Sequence, residues 1–214
     1  MRPNFERMDL ILYFDYIGTM VFAISGTLMA AEKKLDIFGA VFIGFVTAIG
    51  GGTVRDIMLG ELPVTWIRSV DYFFVILSGV LITVIFKKLV LKLRSTLFLF
   101  DTIGIGVFTL IGLKKALFLG IDAPLAVMMG LSSAVVGGVI RDTLCNEVPL
   151  IFHREIYATA CIAGAVVFLI LRWFNVPDIV SESLTVATII SIRLVAVRYN
   201  VTMPTISLTE DKND

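Results

Sequence analysis

The chain has 214 residues, a formal net charge of zero and 17% charged residues, while 57% of its residues are hydrophobic. A soluble domain carries about a quarter charged residues, so this composition, with a mean hydropathy of +0.94, excludes an ordinary soluble domain and predicts an all-α membrane protein. No basic block is longer than two residues, which argues against a nucleic-acid partner.

Apolar runs of about 20 residues, the length that crosses a bilayer core, predict seven transmembrane helices. The first run contains an aspartate and lacks a small-x-small cleavage site, so it is a retained span and not a signal peptide. We expect one transmembrane domain over residues 1–200 and a polar, disordered tail over residues 201–214. In chain order the spans cover residues 10–31, 37–60, 69–86, 95–113, 123–144, 156–173 and 179–198.

The distribution of lysine and arginine, leaving aside Arg55, Arg141 and Arg193 within the spans, predicts the orientation of the chain. Nine of these residues lie on the side of the C-terminus and six on the side of the N-terminus. By the positive-inside rule, the N-terminus faces out and the C-terminus faces the cytoplasm.

The chain also matches itself at an offset of 86 residues, a self-similarity typical of a duplicated unit. The two copies, residues 10–88 and residues 95–173, each hold three spans. Because three is odd, the second copy enters the membrane from the opposite side, so the sequence predicts an inverted repeat plus one terminal helix. The matched pairs include Asp15 with Asp101, Phe22 with Phe108, Arg55 with Arg141, Asp56 with Asp142, and Pro63 with Pro149.

The second span of each repeat carries consecutive glycines followed closely by Arg-Asp. Glycine permits a kink or a short unwound turn, and such backbone at membrane depth is tolerated where it is buried or lines a wet cavity. We therefore expect these glycines to line a hydrated route, whereas the more widely spaced Gly18, Gly26, Gly44, Gly104, Gly112 and Gly130 suit close helix packing. The candidate pore glycines are Gly50, Gly51, Gly52, Gly137 and Gly138.

Adjacent residues differ by about 100° around a helix, so Arg55 and Asp56 are expected to find partners elsewhere: an aspartate of another span, a backbone carbonyl or water. The same holds for Arg141 and Asp142. The alternative is a purely structural ion pair between spans.

Aspartates and hydroxyl groups in the spans each allow two interpretations. Asp15 and Asp101 either form acidic mouths that attract cations or cap their helices. The hydroxyl groups either replace part of a cation's hydration shell or bond to their own helix backbone. They belong to Ser25, Thr53, Ser132, Ser133 and Thr143.

The chain offers few residues for catalysis or for a metal site. Cys145 and Cys161 have no metal-ligand spacing and are expected to be small apolar fillers, and His153 is expected at a membrane interface. No Ser-His-Asp arrangement can be built around a single histidine. We expect no enzyme activity, metal or cofactor.

The segments "GGTVRDIMLGELP" and "GGVIRDTLCNEVP" resemble the paired signatures of the prokaryotic trimeric intracellular cation (TRIC) channel family, some of whose bacterial relatives carry a domain named for glycine transport. The resemblance implies a homotrimer in the prokaryotic inner membrane. In each subunit a path for monovalent cations, potassium foremost and sodium as a further candidate, would run between the kinked second and fifth spans, beside the two Arg-Asp pairs.

One departure from this pattern concerns the second copy, where Val136 reduces the glycine triplet to a pair and is expected to stiffen the fifth span. Animal members of the family bind an anionic lipid, for which Lys114 and Lys115 are candidates here. The residues by themselves also fit a secondary transporter of a small zwitterion such as glycine, in which arginine would bind the carboxylate and aspartate the ammonium group.

Overall fold

The structure is a computed structural model that describes residues 5–90, 96–152 and 156–202, and these residues form seven α-helices. The all-α membrane fold predicted from the sequence is confirmed. The predictions for His153 and for the tail beyond residue 202 lie outside the described residues. The helices are α1 (Phe5–Glu32), α2 (Ile37–Met58), α3 (Asp71–Val90), α4 (Thr96–Phe118), α5 (Ala123–Leu144), α6 (Ala158–Trp173) and α7 (Asp178–Arg198), with single 3₁₀ turns at Thr65–Ile67 and Leu150–Phe152.

Five helices are long and apolar enough to cross a membrane: α1, α2, α4, α5 and α7. The other two helices, α3 and α6, have shorter apolar stretches, which cover Asp71–Phe86 and Ala158–Trp173. Each of these shorter helices is the third of its repeat. α1 and α4 bury the largest share of their residues and therefore form the centre of the bundle.

Two residues that the repeat relates to each other stack at the centre of the bundle. The rings of Phe22 on α1 and Phe108 on α4 stack almost in parallel, with centroids 5.1 Å apart. Each ring fills the space above a glycine of the other helix, because a Cβ at Gly104 would overlap Phe22 and a Cβ at Gly18 would lie 3.0 Å from Phe108. Contacts in which each partner repeats the other are what an approximate two-fold relation produces.

The contact between α2 and α5 is reciprocal in the same way. A Cβ at Gly51 would overlap the carbonyl oxygen of Ser133, and a Cβ at Gly137 would lie 2.5 Å from the carbonyl oxygen of Thr47. Position 133 lies 86 residues after position 47, as position 137 does after position 51. The pairing also shows that α2 and α5 run antiparallel.

The glycine runs do not contain the unwound turn that the sequence permitted. Both α2 and α5 are α-helical through all five glycines, and Gly50, Gly51 and Gly137 are buried where the two backbones meet. The expectation that consecutive glycines do not serve helix packing is wrong at these three positions. Two helices that cross at backbone contact need several small residues in one place.

We expect Gly51→Ala to lower the free energy of unfolding by about 1–3 kcal/mol, because the added methyl group overpacks the contact with α5. Gly106→Ala is the control, since its Cβ would make ordinary contact with Val186 at 3.4 Å and alanine favours a helix by about 1 kcal/mol over glycine. Thermal or denaturant unfolding in detergent measures both. Equal stability of the two variants would show that α2 and α5 are not in backbone contact at Gly51.

Candidate functional site

The two Arg-Asp pairs lie at opposite ends of the contact between α2 and α5. Arg55 follows Gly51 by four positions, and Arg141 follows Gly137 by the same interval on the antiparallel helix. Their exposed fractions are 1% and 0%, so each guanidinium group requires a compensating negative charge. Each arginine also lies in the last turn of its helix, where the helix dipole favours a positive charge.

The first cluster surrounds Asp56. Its Oδ1 accepts hydrogen bonds from Arg55 Nε at 2.8 Å and from Lys115 Nζ at 2.7 Å. Its Oδ2 accepts from the backbone nitrogen and the hydroxyl group of Thr65, at 2.7 and 2.5 Å. One carboxylate thus connects α2, α4 and the 3₁₀ turn that follows α2. We define the first cluster as Asp15, Arg55, Asp56, Thr65, Tyr72 and Lys115.

Within the first cluster, Asp15 is held by a tyrosine and not by the arginine. Tyr72 donates its hydroxyl hydrogen to Asp15 Oδ2 at 2.7 Å. Asp15 Oδ1 lies 3.8 Å from Arg55 Nη1, which is beyond hydrogen-bonding distance. Among the described residues, Arg55 Nη1 has no hydrogen-bond partner.

The second cluster is more tightly paired. Arg141 donates from Nε to Asp142 Oδ1 at 2.7 Å and from Nη1 to Asp101 Oδ1 at 2.8 Å. The same Nη1 lies 2.5 Å from the hydroxyl oxygen of Ser25 on α1. Asp142 Oδ2 accepts the backbone N–H of Leu150 at 3.1 Å, as Asp56 accepts that of Thr65. We define the second cluster as Ser25, Asp101, Arg141 and Asp142.

One sequence-based expectation for these residues is wrong, and one of two open alternatives is excluded. Each arginine does bond to the aspartate beside it, because its long side chain bends around the last turn of the helix and presents Nε to the neighbouring carboxylate. Asp15 and Asp101 do not cap helices, because α1 begins at Phe5 and α4 at Thr96, so both aspartates lie inside helical turns.

A small cavity of about 10 Å³ adjoins the first cluster, which is room for about one water molecule. Asp15, Gly52 and Arg55 line it together with Phe108 from the centre of the bundle. A Cβ at Gly52 would make only ordinary contacts. Gly52 therefore faces the first cluster, while Gly51 beside it packs against α5. Gly138 takes the corresponding place in the second cluster, since its Cβ would lie 3.6 Å from Asp101 Oδ1.

The candidate hydroxyl groups have mixed surroundings. Ser25 belongs to the second cluster. Thr53 Oγ1 donates to the Ile49 carbonyl at 2.7 Å and accepts from Trp66 Nε1 at 3.0 Å. Ser132 Oγ lies 3.9 Å from the Met58 sulfur. Ser133 is buried, and its Oγ has no hydrogen-bond partner among the described residues. Thr143 is exposed.

The two candidate lipid-binding lysines are both held by acidic side chains. Lys115 binds Asp56, and Lys114 forms an ion pair with Glu182 on α7, whose side chain is 1% exposed. An anionic lipid that bound here would therefore compete with these carboxylates.

Sequence reasoning missed several residues that complete the clusters. Tyr72, Thr65 and Glu182 come from other elements, and nothing in the repeat points to Lys115, because Met29 stands at its equivalent position. A further buried cation, Arg193 on α7, lies between the rings of Phe98 and Tyr157, 4.7 and 4.6 Å from their centroids. An arginine within a predicted span was the available signal for that site.

The two cysteines are buried free thiols, and burial raises the pKa of Cys145, which follows α5. Both are packed in apolar clusters, as expected for small fillers. Within residues 5–90, 96–152 and 156–202, the structure groups no three histidine, cysteine, aspartate or glutamate side chains in an arrangement that could hold a metal ion.

These features define a seven-helix integral membrane protein with two related buried charge clusters, and solved structures share its fold. A TRIC trimeric intracellular cation channel orthologue from Rhodobacter sphaeroides is similar with a TM-score of 0.85 and 33% identity, over 90% of this chain and 99% of that one. A prokaryotic TRIC channel crystallised in 0.5 M KCl is similar with a TM-score of 0.84 and 27% identity, over 92% and 100%. The resemblance indicated by the two motifs is confirmed.

Bacterial membrane proteins are similar over nearly the whole sequence. The UPF0126 inner membrane protein YadS of Escherichia coli K12 is 37% identical over 204 residues, which are 94% of this chain and 99% of the relative. A UPF0126 membrane protein of Vibrio cholerae is 38% identical over 203 residues, 94% of this chain and 85% of the relative. The family model described as "Glycine transporter" matches residues 12–88 and 98–173, and the chain belongs to this family.

We expect Asp101→Asn to destabilise the protein more than Asp15→Asn. Asp101 accepts a 2.8 Å hydrogen bond from a fully buried arginine, and breaking a buried pair costs about 3–5 kcal/mol. Asp15 lies 3.8 Å from its arginine, so its replacement should cost about 1 kcal/mol, close to a single hydrogen bond. Unfolding of both purified variants in detergent measures the difference, and equal losses would contradict the asymmetry between the clusters.

Proposed function

We propose that this protein is a monovalent cation channel, selective mainly for potassium and also passing sodium, with a path inside each subunit of a homotrimer. The path runs along the contact between α2 and α5. The observation that carries the proposal is the position of the two charge clusters, one at each end of the glycine-lined contact between α2 and α5. The similarity to solved TRIC cation channels, for one of which the structure is described as the basis for conductance, supports it.

The arginines do not oppose the passage of cations in this arrangement. In the second cluster two aspartates neutralise one arginine, which leaves one excess negative charge. In the first cluster two aspartates match Arg55 and Lys115. Carboxylates and hydroxyl oxygens at both ends can replace part of a cation's hydration shell.

The conformation described here is closed at its centre. The backbone contacts at Gly51 and Gly137 and the stacked rings of Phe22 and Phe108 separate the two clusters. Conduction therefore requires α2 and α5 to part and these rings to move aside. Such shifts of packed helices take microseconds to milliseconds, a timescale compatible with gating.

We also infer that the repeats are inverted in the membrane and that the N-terminus lies outside. The reciprocal contacts at the centre support a two-fold relation between residues 10–88 and 95–173. Three spans in each repeat then require an axis in the membrane plane. The E. coli relative is described as an inner membrane protein, which supports the inner membrane as the location.

The transport of glycine is less well supported. The cavity beside the first cluster has room for about one water molecule, and glycine needs several times that volume. Saturable uptake of glycine into liposomes, without unitary currents, would favour the transporter over the channel.

Purified protein in planar bilayers tests the channel directly, and unitary current steps in potassium chloride are expected. Asp56→Asn and Asp142→Asn should each change the unitary conductance or the preference among cations, because both remove a charge at the ends of the path. Asp36→Asn is the control, since Asp36 is an exposed cap of α2 and asparagine caps helices equally well. Unaltered currents in well-folded Asp56 and Asp142 variants would assign both residues a structural role.

A further inference from the structure

We propose that Tyr72 is a positioning residue that keeps the Asp15 carboxylate from hydrogen-bonding directly to Arg55, so that this carboxylate remains available to a cation. The inference rests on the proposed channel function and assigns different roles to the two clusters. The first cluster holds one carboxylate that does not bind arginine directly, whereas both aspartates of the second cluster bind Arg141.

The geometry at Asp15 shows that two groups compete for one carboxylate. Tyr72 binds Oδ2 at 2.7 Å, and Oδ1 stays 3.8 Å from the nearest guanidinium nitrogen. A buried arginine so close to a carboxylate would ordinarily form a direct hydrogen bond at about 2.8 Å. The tyrosine holds the carboxylate back from that pairing, and Arg55 Nη1 is left without a hydrogen-bond partner among the described residues.

The second cluster shows the arrangement that forms when arginine and not a tyrosine binds the aspartate. The Tyr157 hydroxyl group is nearby, since a Cβ at Gly138 would lie 3.4 Å from its oxygen and 3.6 Å from Asp101 Oδ1. Position 158, at the same offset from position 72, is Ala158. Tyr157 is buried beside it, yet Asp101 Oδ2 accepts no hydrogen bond from any described side chain. Asp101 instead binds Arg141 directly at 2.8 Å. The two aspartates are equivalent in the repeat and differ in which partner holds them.

Tyr72 is itself fixed in place. Its side chain is buried near the start of α3, and its ring meets Tyr16 edge to face, with centroids 4.9 Å apart. The Tyr16 hydroxyl group in turn bonds to Asp71 Oδ2 at 3.2 Å. A donor with so few alternative positions can hold a carboxylate against the pull of a neighbouring charge.

The position of Asp15 gives this arrangement a consequence for conduction. Asp15 and Tyr72 both line the cavity together with Phe108. Because Asp15 Oδ1 stays beyond hydrogen-bonding distance of Arg55, its carboxylate can attract and bind a cation there, whereas a carboxylate that binds arginine directly is more fully neutralised. Loss of the tyrosine hydroxyl should therefore weaken cation binding and leave the path itself open to ions.

The test is the dependence of unitary conductance on potassium chloride concentration, measured for wild type, Tyr72→Phe, Asp15→Asn and the double variant. We expect Asp15→Asn to raise the half-saturating concentration about fourfold, the Boltzmann factor for a unit charge about 5 Å away in water. Tyr72→Phe should raise it about two- to fourfold, with an unchanged maximal conductance, and should add nothing in the Asp15→Asn background. Tyr13→Phe is the matched control, because it also removes a tyrosine hydroxyl group, but from an exposed side chain of α1 that belongs to neither cluster.

The possible results separate this inference from the channel function. A conducting wild type with Tyr72→Phe at the wild-type half-saturating concentration would overturn the role of Tyr72. A change in maximal conductance alone would also overturn it, because that result indicates only a structural effect. If Tyr72→Phe does not fold, the Asp15→Asn variant tests the inference instead. An unchanged half-saturating concentration in that variant would show that the Asp15 carboxylate does not bind the cation and would overturn the inference. Absence of current in the wild type would instead reject the channel function.

Discussion

The fold depends on the need to neutralise two arginines buried among apolar helices. An unpaired charge in such surroundings is costly, and the protein meets this cost twice with the same arrangement. Each arginine bonds to the next residue in the chain, and an aspartate on the first helix of the same repeat lies close by. Because those aspartates stand on α1 and α4, the two arginines fix how α2 and α5 sit against the centre of the bundle.

The apolar centre follows from the same duplication. Phe22 and Phe108 stack on each other and on glycines of the opposite helix, and the glycines of α2 and α5 let the two backbones meet. Small residues and planar rings form a tight contact. In the proposed channel, this contact is the part of the molecule that would have to separate when ions pass.

The two repeats have diverged in the residues around the arginines. In the first cluster, Lys115 and Tyr72 bind the two aspartates, and a small cavity adjoins them. In the second, Ser25 and Asp101 converge on the arginine itself. One duplicated motif thus supports a more open electrostatic site at one end of the helix contact and a rigid junction at the other.

Apolar run length and self-similarity determined seven helices, the duplication and the buried Arg-Asp pairs, because these signals are local or periodic. Only the tertiary structure decided that Tyr72 and Lys115 reach the first cluster, since partners 57 and 59 positions apart in the chain leave no pattern in the sequence. It also decided that Gly51 meets the Ser133 carbonyl while Gly52 faces a cavity. A glycine only removes a side chain, and the crossing of two helices determines whether backbone or water takes the space.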